Sequence, residues 1–500
     1  MTTDQVERHL AHSHAREEEI PGTVNLRAAE GDDTGYGQAL FPVPAEDPND
    51  PLQWSNTKKT LILVTCALYS FLGNTALLGP SVYIGIYSQE FGISPNTASG
   101  LISYANLVFG FGLIGASQAT SYGGLMAARV IHSFGSGVCE ALPVQLVNDI
   151  FFLHERGQRL GYYTFALCLG ATGPLFAGYM LNGGYSWRLF FYVEIAFGVA
   201  LLIFAFFVVE ETTYHRKLTQ DSSDGPEDAE KTGTSMVERS VTERSNVPRR
   251  KTYLQTLKFW GVWERDSEFF LMMARSFTYF LVPHVFWVVT TYGINIGIGA
   301  LTFNYIMPIK VVAPPYNWSL GTIIGYCAAL PFTTSSDRLA AYLTKKNNMV
   351  REAEMRLGVC LPAMLLAPAG LIVFGFTAER NLHWIGYFAG VVMSSWSSYF
   401  YFTFVLSYAL DSYTSNTSEM LIAMNLGKQA ISFGMGLNLL EWVQERGYAV
   451  MISGVFCGVL LANQLALIPF MLYGKSIRAY MAKTWLARIH ANSVREVMTA

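Results

Sequence analysis

Apolar residues in this chain come in long runs rather than in the alternating pattern of a half-buried strand or the one-sided stripe of a surface helix. A segment that crosses hydrocarbon must satisfy its own backbone hydrogen bonds, which takes a helix of about 20 mostly apolar residues. On that rule the chain predicts spans at 60–84, 98–120, 125–152, 161–181, 188–209, 283–307, 318–336, 357–376, 383–408, 420–441 and 449–473. The fold class is therefore an all-α polytopic membrane protein, with about 11 spans readable. Polar stretches frame the spans: 1–57, 211–267 and 476–500. The first is expected to be a disordered cytoplasmic tail, the second a disordered cytoplasmic loop and the third a cytoplasmic tail, because each has too little apolar content to fold alone. They leave two helix blocks, 58–210 and 268–475. Residues 268–281 are apolar but carry Arg275, and read as an interfacial helix or as the start of the next span.

Positive charge gives the orientation, since cytoplasmic loops carry excess Lys and Arg. Lys58 and Lys59, the His154–Glu155–Arg156–Arg159 loop, Arg216 to Lys251, Lys345 to Arg351 and the final tail all read as cytoplasmic. An even number of spans must then separate Lys59 from Arg216, and five are readable. Parity returns if 98–120 stands for two helices that have lost the loop between them. The lengths of the two blocks, about 150 and about 190 residues, agree with that. We therefore expect a deletion near Gly112–Leu113, with a real 11-span protein or two short re-entrant pieces as the alternative.

Composition sharpens this picture. Charged residues make up 14% and apolar ones 51%, against about 25% charged in soluble domains. A net charge of −3 leaves no basic surface for nucleic acid. The six cysteines stand singly in apolar runs, with no zinc or redox spacing, and no metal or other cofactor is expected. Gly474-Lys475-Ser476 lacks the upstream glycine of a phosphate loop, Pro469 standing in its place, so an ion gradient is the expected energy source. No nucleophile–base pair stands out, and an enzyme is not expected.

Charges inside spans are the candidate chemistry, because an ion at bilayer depth is costly to keep. They are Arg129, Glu140, Glu194 and Lys428, with Gln429 beside the last. Gly135 and Gly137 would allow close helix approach, as would Gly170, Gly173 and Gly178, among which Pro174 would kink its helix. Asp337 and Arg338 read as a cytoplasmic hinge, and Asn317-Trp318-Ser319 is a glycosylation sequon in a loop predicted to be extracytoplasmic. For each of these, tight packing or a structural ion pair is the competing explanation.

Several of these motifs resemble the major facilitator superfamily. DPNDPLQWSNTKK (47–59) is similar to the segment before the first helix of its fungal members. LMAARVIHSFGSG resembles its fourth-helix signature and GATGPLFAG (170–178) the fifth-helix signature of proton-driven antiporters; Ser186-Trp187-Arg188 and Glu210-Glu211-Thr212 also fit. The resemblance covers about 45–480 and implies two six-helix bundles, alternating access, proton coupling through Arg129, and sealing of the cavity by the glycine–proline helix. The superfamily's loop signature between helices two and three is missing where NLVFGFG runs into LIGASQATSY. The expected partners are a small-molecule substrate, protons and the lipid bilayer, in a monomeric protein of the plasma membrane, with the vacuolar membrane as the alternative. Three functions stay open: proton-coupled efflux of drugs or secondary metabolites, proton-coupled import of organic cations such as polyamines, and an inactive product lacking the helix 2–3 loop.

Overall fold

The computed structural model describes residues 16–17, 20–26, 41–42, 44, 47–92, 121, 123, 125–129, 138–210, 212, 251–256, 269–307, 327–328, 330–413, 417–487 and 489. The predicted span 98–120, most of 318–336, the Gly112–Leu113 junction, Gly135, Gly137 and Asn317 lie outside them.

Among the described residues, six helical segments are long and apolar enough to cross a membrane: Asn56–Tyr83, Leu153–Asn182, Arg188–Val208, Pro283–Ile306, Ala353–Arg380 and Ala449–Met481. In the first block, α1 (Asn56–Leu78) starts at Ser55, whose hydroxyl accepts from the Lys58 N–H, and runs on as a 3-10 turn to Tyr83. It is followed by α2 (Ile84–Phe91), α3 (Val138–Ile150), α4 (Leu153–Gly170), α5 (Gly173–Asn182) and α6 (Arg188–Val208). The second block holds α7 (Phe269–Thr278), α8 (Pro283–Ile294), α9 (Thr302–Met307), α10 (Ser335–Lys346), α11 (Leu361–Arg380), α12 (Trp384–Phe400), α13 (Leu406–Ser412), α14 (Thr417–Arg446), α15 (Cys457–Leu465) and α16 (Leu467–Met481). Wide π turns join α8 to α9, α12 to α13 and lead into α15. Within the predicted stretch 268–281, residues 269–278 form a separate helix, α7, and 279–281 a 3-10 turn, because Pro283 opens a new helix.

Two expectations change. The residues His154 to Arg159 are not a loop but the first turns of α4. Their charges find partners in the protein, so polarity there does not mark a helix end. Nor is the segment 1–57 wholly without structure. Within it β1 (Arg16–Glu17) and β2 (Thr23–Asn25) pair antiparallel, and β2 pairs in turn with β3 (Val350–Glu352). The ladder satisfies backbone groups that a polar composition would leave to water. At the other end, α16 runs past residue 475 to Met481.

The largest apolar core is shared by both blocks. It joins Ile62, Val147, Ile150 and Leu160 to Val285, Val288, Tyr399, Phe404 and Met420. Polar side chains also tie helices together inside the second block: Thr291 donates to Asn463 Oδ1 at 2.8 Å, and Asn463 Nδ2 donates to Thr290 at 2.9 Å.

The glycine–proline run sets how near α4 and α5 come to α1. Pro174 has no N–H for the Gly170 carbonyl, so α4 closes with tight turns, Ala171 N–H to Cys168 O and Thr172 N–H to Leu169 O, and α5 begins afresh. A Cβ on Gly170 would stand 2.6 Å from the Phe71 carbonyl oxygen, and one on Gly173 would stand 2.5 Å from that of Thr75. Gly178 faces open space. Gly170→Ala and Gly173→Ala should each destabilise the detergent-solubilised protein by about 1–3 kcal/mol. Gly178→Ala should change stability by less than about 0.5 kcal/mol. Thermal unfolding of the three variants checks this; equal effects would show that the run is not a packing face.

Candidate functional site

The helix blocks meet through buried charge at two places. At the first, Lys428 of α14 and Glu140 of α3 form an ion pair across the seam. Lys428 is 3% exposed, so it must keep an anionic partner or lose much of its hydration without return. Gln429 Nε2 stands 3.5 Å from Glu140 Oε2, and the Lys428 ammonium lies 5.7 Å from the centre of the Tyr292 ring. Tyr163 of α4 donates to the Glu140 carbonyl at 3.3 Å, which holds the start of α3 beside α4.

Glu140 and Lys428 line a small cavity with Tyr163, Thr164, Tyr292 and Asn425. Its volume of about 20 Å³ admits roughly one water molecule. Drug-sized ligands need about 300–1,000 Å³, so the cavity as it stands is too small for one.

The second place is on the basic face. Arg356, fully buried, donates through Nε to Asp411 Oδ2 at 2.5 Å and through Nη1 to Asp337 Oδ1 at 2.5 Å. Both acids belong to the second block. The first block answers with backbone: the Leu153 carbonyl accepts from Arg356 Nη2 at 3.2 Å, and Asp337 Oδ2 accepts the Gln158 N–H at 2.6 Å. Arg156 of α4 stands 3.7 Å from Asp411, and Arg351 of β3 stands 4.0 Å from it. Burial and then the Arg356 charge lower the Arg351 guanidinium to about 10, so it stays cationic at neutral pH. Gly157 leaves room for this cluster, since a Cβ there would collide with Arg356 and Asp337.

Arg129 sits apart from both places. It is fully buried and donates to two main-chain carbonyls of α1, Ala76 at 3.0 Å and Leu77 at 2.7 Å. The Ala76 carbonyl would look four residues on for its helical donor, where Pro80 has no N–H. A guanidinium suits this place, being cationic beside carbonyls at the end of a helix.

The sequence-predicted residues thus divide. Glu140, Lys428 and Gln429 come together, and Asp337 joins the basic-face cluster. Arg338 is exposed, and Glu194, 6% exposed on α6, does not line the cavity. Tyr163, Tyr292 and Asn425 were not legible, because they carry no charge to set them apart within their apolar runs. Arg156, Arg356 and Asp411 were legible only as flanking charges; the one signal was an acid, Asp411, at the end of an apolar run. Among the described residues no group of three His, Cys, Asp or Glu is placed to hold a metal ion.

If the seam pair is as mutual as its geometry, Lys428→Met should cost about 3–5 kcal/mol by leaving Glu140 unpaired. Adding Glu140→Gln should recover most of the loss. A double-mutant cycle of unfolding free energies measures the coupling, and additive losses would mean that the two side chains are independent.

Comparison with known proteins places this geometry. The family model described as Major Facilitator Superfamily matches residues 100–437. An uncharacterized MFS-type transporter of Schizosaccharomyces pombe is 23% identical over 565 residues, covering 94% of this chain and 94% of that protein. MFS-type transporter penM of Penicillium rubens is 24% identical over 479 residues, with 87% of this chain and 88% of penM covered. The Saccharomyces cerevisiae protein named "Probable drug/proton antiporter YHK8" is 24% identical over 377 residues, covering 72% of this chain and 68% of its own. Among solved structures, the proton:xylose symporter XylE superposes with a TM-score of 0.56 at 14% identity, covering 84% of this chain and 96% of that one, a likeness of fold.

Proposed function

Because the chain belongs to the Major Facilitator Superfamily, whose members are transporters, we propose that it exports small organic molecules in exchange for protons, with the Glu140–Lys428 pair as the coupling element. The observation that carries this reading is that the pair joins opposite helix blocks beside a small cavity that both residues line. Alternating access requires the blocks to part around that cavity. Parting an intact buried ion pair leaves two charges unmatched, which is strongly unfavourable. A proton delivered to Glu140 removes the anion and lowers that cost. Lys428 then faces the cavity beside Tyr292, ready for an anionic or hydrogen-bonding group of the substrate, and return of the carboxylate draws the blocks together again. Arg129, fixed to the carbonyls of α1, serves this cycle by holding the end of that helix.

The outward direction rests on the resemblance of GATGPLFAG to antiporter sequences and on the relative named a drug/proton antiporter. Organic-cation import is the less favoured reading, because Glu140 already holds an internal cation in Lys428. The shortened-chain reading has one observation behind it. An alignment of 565 residues against a chain of 500 requires gaps in this chain, as a lost helix 2–3 loop would.

The protein reconstituted in liposomes with an acidic lumen should release trapped protons when lipophilic dyes that carry an anionic or hydrogen-bonding group are added outside. Glu140→Gln should reduce that flux at least about 100-fold, to background, which a pH dye in the lumen would report. Flux in Glu140→Gln equal to wild type would remove Glu140 from coupling. Saturable uptake of labelled spermidine by cells, without dye flux, would move cation import to the front. No flux from this chain, with flux from a longer transcript product carrying an added loop between Phe109 and Ser117, would establish the inactive form.

A further inference from the structure

Transport as described above makes no use of residues 20–26, yet these residues are built into the basic face. Gly22 has a left-handed backbone, φ +77°, and lies against the end of α13: a Cβ on it would stand 2.6 Å from the Asp411 carbonyl oxygen and 2.8 Å from Ser412 Cα. From there β2 runs antiparallel to β3, with Thr23 opposite Glu352, Val24 opposite Arg351 and Asn25 opposite Val350. The Leu26 N–H donates to the Met349 carbonyl at 3.0 Å. Arg478 of α16 secures the other end. It holds Glu354 by two bonds, Nε to Oε1 at 2.8 Å and Nη2 to Oε2 at 2.5 Å, and turns Nη1 to the Pro21 carbonyl and, at 3.5 Å, to Thr23 Oγ1. All of these partners belong to the second block.

The apolar side chains go the other way. Val24 and Leu26, each 3% exposed, pack on Leu153 at the start of α4 in the first block. Phe41 joins them, and its carbonyl accepts the Leu153 N–H at 2.9 Å. Leu153 is the same residue whose carbonyl accepts from Arg356. One short segment therefore bonds to one block, packs on the other, and lies directly over the charge cluster that joins them.

We propose that residues 20–26 are a strap, an internal peptide that adds a strand to β3 and restrains opening of the basic face. The strap has to lift off Leu153 before the blocks part there. A three-residue ladder and two small apolar contacts make a restraint that is reversible on the time scale of loop motion rather than a permanent staple. The inference rests on the two blocks parting at this face.

The test needs no transported molecule, so it can fail while the transport reading stands. Asn25→Cys with Val350→Cys places two thiols at register partners, within reach of a disulfide. Amide hydrogen exchange of the full chain in detergent is followed by mass spectrometry, oxidised and then reduced. In the oxidised form, exchange over 153–160 should slow at least about tenfold. Exchange over the 182–187 turn, between α5 and α6, should rise, because holding a two-state carrier shut at one face favours opening at the other. Removal of residues 20–26 should speed exchange over 153–160 and slow it at the turn. Unchanged exchange over 153–160 on oxidation overturns the proposal. So does slowing confined to 153–160 with the turn unaffected, which is local stiffening alone. If the deletion variant does not fold, the oxidised and reduced full chain still decides.

Discussion

A charge removed from water needs an opposite charge or a set of dipoles within reach, and a chain that keeps its helices in hydrocarbon has few places to find one. In this protein some of those partners are drawn across the seam between the two helix blocks. Lys428 of the second block meets Glu140 of the first, and Arg356 of the second reaches the Leu153 carbonyl of the first while Asp337 accepts from Gln158. Apolar packing alone would not prefer one arrangement of blocks over a slightly shifted one, since lipid tails compete equally for apolar surface. The charges make one arrangement of the blocks specific, because each must keep its partner.

The two contacts differ in kind. At the cavity a single acid faces a single base, with Tyr292 behind the base and Gln429 beside the acid. Removing one charge there leaves the other without a counterpart. On the basic face three arginines share two aspartates, and backbone groups of α4 supply the remaining bonds. Losing one proton or one bond from that cluster leaves the others engaged. The cavity contact is therefore the more easily undone by a single change of charge, and the basic-face cluster the more redundant of the two.

Much of this was legible in the sequence wherever a residue conflicted with its surroundings. A lysine and a glutamate inside apolar runs are anomalies, and Glu140 and Lys428 were singled out for that reason. Arg129 was singled out on the same ground, although its acceptors, being main-chain oxygens, leave no mark in sequence. The basic-face cluster was hidden because Arg156, Arg351 and Arg356 sit near span ends, where positive charge is ordinary. The strap was hidden because composition reads the segment 1–57 as a whole, whereas seven residues with a glycine turn and two apolar side chains suffice to dock. Gly170 and Gly173 were legible as a packing face; that Gly178 stands free of it depended on how α5 leaves α1 after Pro174.

The contacts of Arg129 have a consequence for how such a protein varies over evolutionary time. Among its acceptors are the carbonyls of Ala76 and Leu77, which every amino acid would present alike. Positions 76 and 77 can therefore drift without regard to position 129, and paired substitutions will not betray their contact however many relatives are aligned. The position coupled to Arg129 is instead Pro80, whose missing N–H leaves the Ala76 carbonyl to the arginine. Genetic suppressors of an Arg129 defect are to be sought there, in a residue that restores a helical donor.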